Sequence, residues 1–127
     1  MQPQLELKSC EMQRDMDLIR DLLLKIEADP FCDGTHFKRI DVEDQPIDKL
    51  NYHLRLLDQA GYIIGVKAML YYNVSELTWK GHEFLDNIKD PAIWTETKEK
   101  AKELGGVGLN VIAEIALSLI KAHFHLP

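Results

Sequence analysis

The chain has 127 residues, 46% of them hydrophobic and 28% charged, and a formal net charge of −6. That length suits one domain with a real core better than two independent ones, and the hydrophobic content excludes a chain that is disordered throughout. The negative balance gives no general attraction to nucleic-acid phosphates or anionic membranes, so any basic surface has to be local.

No stretch reaches the roughly 18 apolar residues that a membrane span requires, and the N-terminal "MQPQLELKSC" has no apolar segment of signal-peptide length. A cytoplasmic location is the expectation. Cys10 and Cys32 are isolated, which in that compartment predicts reduced thiols rather than a disulfide, and neither has zinc-ligand spacing.

In chain order, the first predicted element covers residues 12–28, where Met16, Ile19, Leu22, Leu23 and Ile26 recur at the spacing of a helix with one buried face. It should end before Asp29-Pro30, because the residue before proline disfavours the helical region. Residues 30–37 then read as a loop, and "HFKRIDV", His36 to Val42, as a short edge strand. Asp44 is expected to cap a second helix over residues 46–60, with Pro46 in its first turn and Gly61 as its stop.

Residues 62–79 are rich in β-branched and aromatic side chains, and "NVS" in their second half is taken as the turn of a β-hairpin. Thr78 can cap a third helix over residues 79–89, and Asp90-Pro91 ends that helix and caps a fourth, which runs to Gly105-Gly106. In the last helix, residues 109–124, the polar positions Asn110, Glu114, Ser118, Lys121 and His125 share one narrow stripe and the rest of the circumference is apolar.

A helix running at once into a hairpin is the arrangement of a winged helix-turn-helix, in which that helix reads DNA and the hairpin is the wing. The expected fold class is therefore α+β and mainly helical. It places a winged helix-turn-helix-like core over residues 12–79, additional C-terminal helices over residues 80–127, and a flexible N-terminal extension over residues 1–11 of one domain.

The stretches "RDMDLIRDLLLKIE", "LNYHLRLLDQAGYI" and "LTWKGHEFLDNIKDPAIW" together resemble the bacterial and phage family called domain of unknown function 2513, from about Met12 to near the C-terminus. The resemblance implies a small intracellular protein, often carried by phages or mobile elements, with a winged-helix core. It implies no established activity and carries over no functional residue. The family resemblance also implies a longer segment between the hairpin strands than this chain has, so that its wing would reach less far into a groove.

The docking precedent of that fold makes DNA the first partner to test. On the outer face of the second helix, Arg55 would read guanine, and Asn51 and Gln59 adenine; Lys49, Tyr52 and Lys67 would hold phosphates. Asp48 and Asp58 share that face, so from Pro46 to His82 four cations stand against three anions and the electrostatic pull is slight. A protein partner is the alternative, and the broad apolar arc of the last helix suggests a homodimer formed through it.

Catalysis and metal binding have weaker support. His82 and Asp86 stand four apart on one helix face with Glu83 beside them, but "HEFLD" is not HExxH, and such a pair is more commonly a helix-stabilising contact. His53 falls on an apolar arc, where a packed histidine bonded to backbone is expected, and "HFH" at the C-terminus lies on a fraying end. The expectation is no catalytic residue, no metal and no cofactor.

Overall fold

The structure, a computed structural model, describes residues 13–124, so Cys10, His125 and the expected extension over residues 1–11 lie outside the described residues. The elements are α1 (Met16–Ala28), β1 (Lys38–Arg39), α2 (Ile47–Gln59), β2 (Ile63–Ala68), β3 (Tyr71–Leu77), α3 (Trp79–Ile88), α4 (Pro91–Glu103) and α5 (Leu109–His123). The chain is α+β and mainly helical, and it divides into two compact units, one ending at Gly81 and the other beginning at His82.

In the first unit α1 starts at Asp15, whose carboxylate accepts from the Leu18 N–H at 3.1 Å and so satisfies one of the unpaired donors of the first turn. The buried stripe is Leu18, Ile19, Leu22, Leu23 and Ile26; Leu18 takes the place expected of Met16, which is half-buried. This helix packs on β3 and α2, and α2 packs on both hairpin strands.

Residues 29–46 link α1 to α2 and contain β1, which is only two residues long and pairs antiparallel with β3 through Lys38 with Val74 and Arg39 with Asn73. The sheet order is β1-β3-β2. Asp44 does not cap α2: it lies at φ 62°, a left-handed position that aspartate tolerates in a turn, and Pro46 stands at the cap without a side-chain bond. The Ile47 side chain is exposed, and the buried face of α2 is Leu50, His53, Leu54 and Leu57.

The hairpin turns earlier than "NVS". Its loop is the two residues Met69 and Leu70, closed by the Ala68–Tyr71 pair, and Asn73, Val74 and Ser75 are inside β3. Met69 takes the positive φ (56°) that a two-residue hairpin loop needs, a conformation more usual for glycine or asparagine, so composition points to the wrong place. A register shift opposite Ile64 and Gly65 leaves Ser75 as an extra residue on β3.

Thr78 closes the unit as expected. Its hydroxyl donates to the Gly61 carbonyl at 2.5 Å and accepts from the Gly81 N–H at 3.0 Å, which caps α3. Gly81 passes so close to the hairpin that an added Cβ would lie 2.0 Å from the Tyr62 carbonyl oxygen.

In the second unit Asp90 caps α4 by accepting from the Ala92 and Ile93 N–H groups, and Gly105 and Gly106, both at positive φ, end it. Trp94, Thr97 and Ala101 of α4 are buried, and α4 packs against α5. Although α5 is the most apolar helix of the chain, its buried residues are only Ile112 and Ala116. Phe124, which follows α5, is 69% exposed.

Candidate nucleic-acid interface

The face of α2 that was expected to meet DNA is not free along its whole length. Part of it is spent on the fold. Asn51 uses both ends of its amide on the hairpin: its Nδ2 donates to the Leu70 carbonyl at 2.7 Å and its Oδ1 accepts from the Tyr72 N–H at 2.9 Å. One donor and one acceptor of its amide are therefore committed to the hairpin, which makes Asn51 a clamp between α2 and the β2–β3 hairpin.

Two turns along α2, Asp58 accepts a short hydrogen bond from the Tyr72 hydroxyl. Burial of the Tyr72 ring, together with this bond to a carboxylate, pushes the phenol up to about 12, so it holds its proton at any physiological pH. Gly65 makes room for the ring, because a Cβ there would come within 2.7 Å of it. Asp58, read as an unfavourable charge beside phosphates, is thus occupied by the hairpin.

Lys49 is also committed. Its ammonium pairs with the Asp15 carboxylate at 2.8 Å, and its carbonyl accepts from Nδ1 of His53 at 2.8 Å. His53 is completely buried, and its Nε2 accepts from the Asp15 N–H at 2.7 Å. Only the neutral ring protonated at Nδ1 fits both bonds. Burial pushes its pKa down, against the opposing pull of Asp15. Partial burial alone would raise the Asp15 carboxyl, but hydrogen bonds from Lys49 and Leu18 outweigh it and hold the group below the usual carboxylate range.

What remains outward is smaller than expected. Arg55 and Gln59 are exposed one turn apart on α2, and Lys67 is exposed on β2 directly across from Tyr72. Tyr52 is half-buried, edge-on to His53, and the Arg55 guanidinium lies 5.4 Å from its ring centroid. Of the expected set, Arg55, Gln59 and Lys67 are therefore outward, with Tyr52 half-buried beside Arg55.

Two features escape a reading of the sequence. The Arg39 guanidinium stacks 3.8 Å over the Tyr71 ring and bonds Asp41 at 2.9 Å, which places another cation on the sheet face away from α2. The signal for it is the alternation of β3, which a turn at "NVS" interrupts. Near it a shallow cleft is lined by Lys25, Asp29, Lys38, Arg39 and Asp41, but Lys25 donates to the Asp41 carbonyl and Lys38 pairs with Asp29. Those bonds occupy its lysines.

His82, Glu83 and Asp86 are exposed on α3, and among the described residues no group of three His, Cys, Asp or Glu side chains converges as a metal site. Cys32 is a free thiol, half-buried, and burial pushes its pKa up, away from the thiolate. Among the described residues no helix is long and apolar enough to cross a membrane.

Comparison with known proteins gives a family but no activity. The family model described as "Hypothetical protein (DUF2513)" matches residues 13–108, which ends just before α5. An "Uncharacterized protein" of Haemophilus influenzae is 34% identical over 122 residues, covering 86% of this chain and 96% of that one. No solved structure matches. On the extent of the family match and on that relative, the chain belongs to the DUF2513 family.

Proposed function

We propose that this chain is a non-catalytic DNA-binding protein of phage or mobile-element type, working in the cytoplasm through α2 and the β2–β3 hairpin in the manner of a winged helix. The observation that carries the reading is the clamp between them. Asn51 and the Tyr72–Asp58 bond fix the hairpin to the helix, so that Arg55, Gln59 and Lys67 are held on one preorganised unit. The sheet order and the helix that precedes the hairpin agree with that docking frame.

In this reading Arg55 takes the guanine edge, Gln59 the adenine edge and Lys67 a phosphate, while Tyr52 steadies Arg55. Lys49 and Asn51 contribute by positioning. Gel retardation of a mixed-sequence duplex at low salt tests it: the native chain should retard the duplex and Arg55→Ala should lose most of that retardation. Retardation unchanged by the substitution would contradict the placement.

A second reading, association of the chain with a copy of itself through α5, is favoured by a separate observation. This strongly apolar helix buries Ile112 and Ala116 alone and leaves Leu117 and Phe124 exposed. The two readings are compatible, since twofold dimers bind paired half-sites.

A further inference from the structure

The arrangement of α5 carries the self-association reading to a specific register. Ile112 and Ala116 turn inward on the helix that packs against α4. About a third of a turn away lie Ala113, Leu117, Ile120 and Phe124, whose spacing of four, three and four is that of a coiled-coil seam. Leu117 is 39% exposed and Phe124 69% exposed; Ala113 and Ile120 are half-buried. Such a seam in water is a cost unless something covers it.

We infer that it is covered by α5 of a second copy, antiparallel to the first; the proposal rests on the self-association reading and adds its geometry. An antiparallel pair sets Leu117 against Ile120 of the second copy and the small Ala113 against the large Phe124, each twice by symmetry. The same register then decides the charges beside the seam. Glu114 and Lys121 each follow a seam residue, at equivalent flanking positions, and the antiparallel geometry brings Glu114 of one copy to Lys121 of the other on both sides. A parallel pair would instead set Glu114 against Leu109 and Lys121 against Ala116 of the other copy, where neither charge finds a partner. The charge pattern is self-complementary in one direction only.

Multi-angle light scattering and sedimentation of the full chain test both layers. The native chain should have twice its 14.6 kDa mass at high micromolar concentration. Leu117→Glu should leave a folded monomer, with circular dichroism confirming the fold. Glu114→Lys and Lys121→Glu alone should each weaken the dimer by about tenfold, because two attractive pairs become two repulsive ones. Mixing the two variants should restore it, because each then faces its complement. A monomeric native chain at the highest soluble concentration would overturn the self-association reading and this proposal together. A native dimer that dissociates with Leu117→Glu but not with either charge reversal, or that the mixture fails to restore, would overturn the antiparallel register and leave self-association standing.

Discussion

The α2–hairpin unit and α5 show opposite relations between composition and burial. In the first, a helix of ordinary hydrophobicity buries Leu50, His53, Leu54 and Leu57, and even its polar face is tied down through Asn51 and Asp58. In the second, the most apolar helix buries only Ile112 and Ala116. Apolar content therefore does not measure how firmly an element is held. What α2 adds to its buried apolar face is long-range polar bonding that no local pattern announces, whereas α5 leaves much of its apolar area uncovered.

The contrast can be broken most severely at Gly81. The Tyr62 carbonyl leaves no space for a Cβ there, so Gly81→Ala should destabilise the chain by about 3 kcal/mol, at the upper end of overpacking costs, read from urea midpoints. Less severe is the clamp: Asn51→Ala gives up two hydrogen bonds to the hairpin and should cost about 2 kcal/mol. If the proposed DNA binding holds, the same substitution should weaken it along with stability, whereas loss of binding at unchanged stability would mark Asn51 as a base reader. A cost below about 0.5 kcal/mol would show that the hairpin does not depend on this residue.

His53 sharpens the comparison through pH. Its folded-state pKa lies below the ordinary 6.5, so the unfolded chain binds a proton that the native site rejects. The stability it contributes is complete above about pH 6.5 and is lost as pH falls toward the depressed folded-state value. His53→Gln should flatten the slope of stability in that interval, and a slope unchanged by the substitution would remove His53 as its source. The smallest effect is expected in the other region: Leu117→Ala, measured at concentrations where the chain is monomeric, should stay within about 0.5 kcal/mol.

Much of the fold is legible in sequence because its signals are local. The buried stripe of α1, apart from Leu18 in place of Met16, the stop at Gly61, the Thr78 cap and the Asp90 cap each depend on a few neighbouring residues, and each is where the pattern puts it. The hairpin turn is not where composition places it, since Met69 adopts a left-handed conformation that its side chain does not advertise. The α2 cap differs as well, because Asp44 folds into its own turn.

The candidate site is legible only in part. Arg55, Gln59 and Lys67 are outward, but the assignment of Lys49 and Asn51 to DNA rests on their place on a helical wheel, which shows the face of a residue and not its partners. Their bonds reach Asp15, Leu70 and Tyr72, across 34, 19 and 21 residues. No periodicity within α2 could have disclosed them.

The central proposal is that α2 and the hairpin clamped to it bind DNA through Arg55, Gln59 and Lys67, and the salt dependence of binding tests it most directly. Fluorescence anisotropy of a labelled mixed-sequence duplex should show affinity for the native chain that falls steeply as salt rises. Arg55→Ala with Lys67→Ala should bind more weakly, with the slope of log affinity against log salt reduced by about one for each phosphate that is no longer neutralised. No binding by the native chain at low salt, or the same affinity and slope in the double variant, would contradict the account.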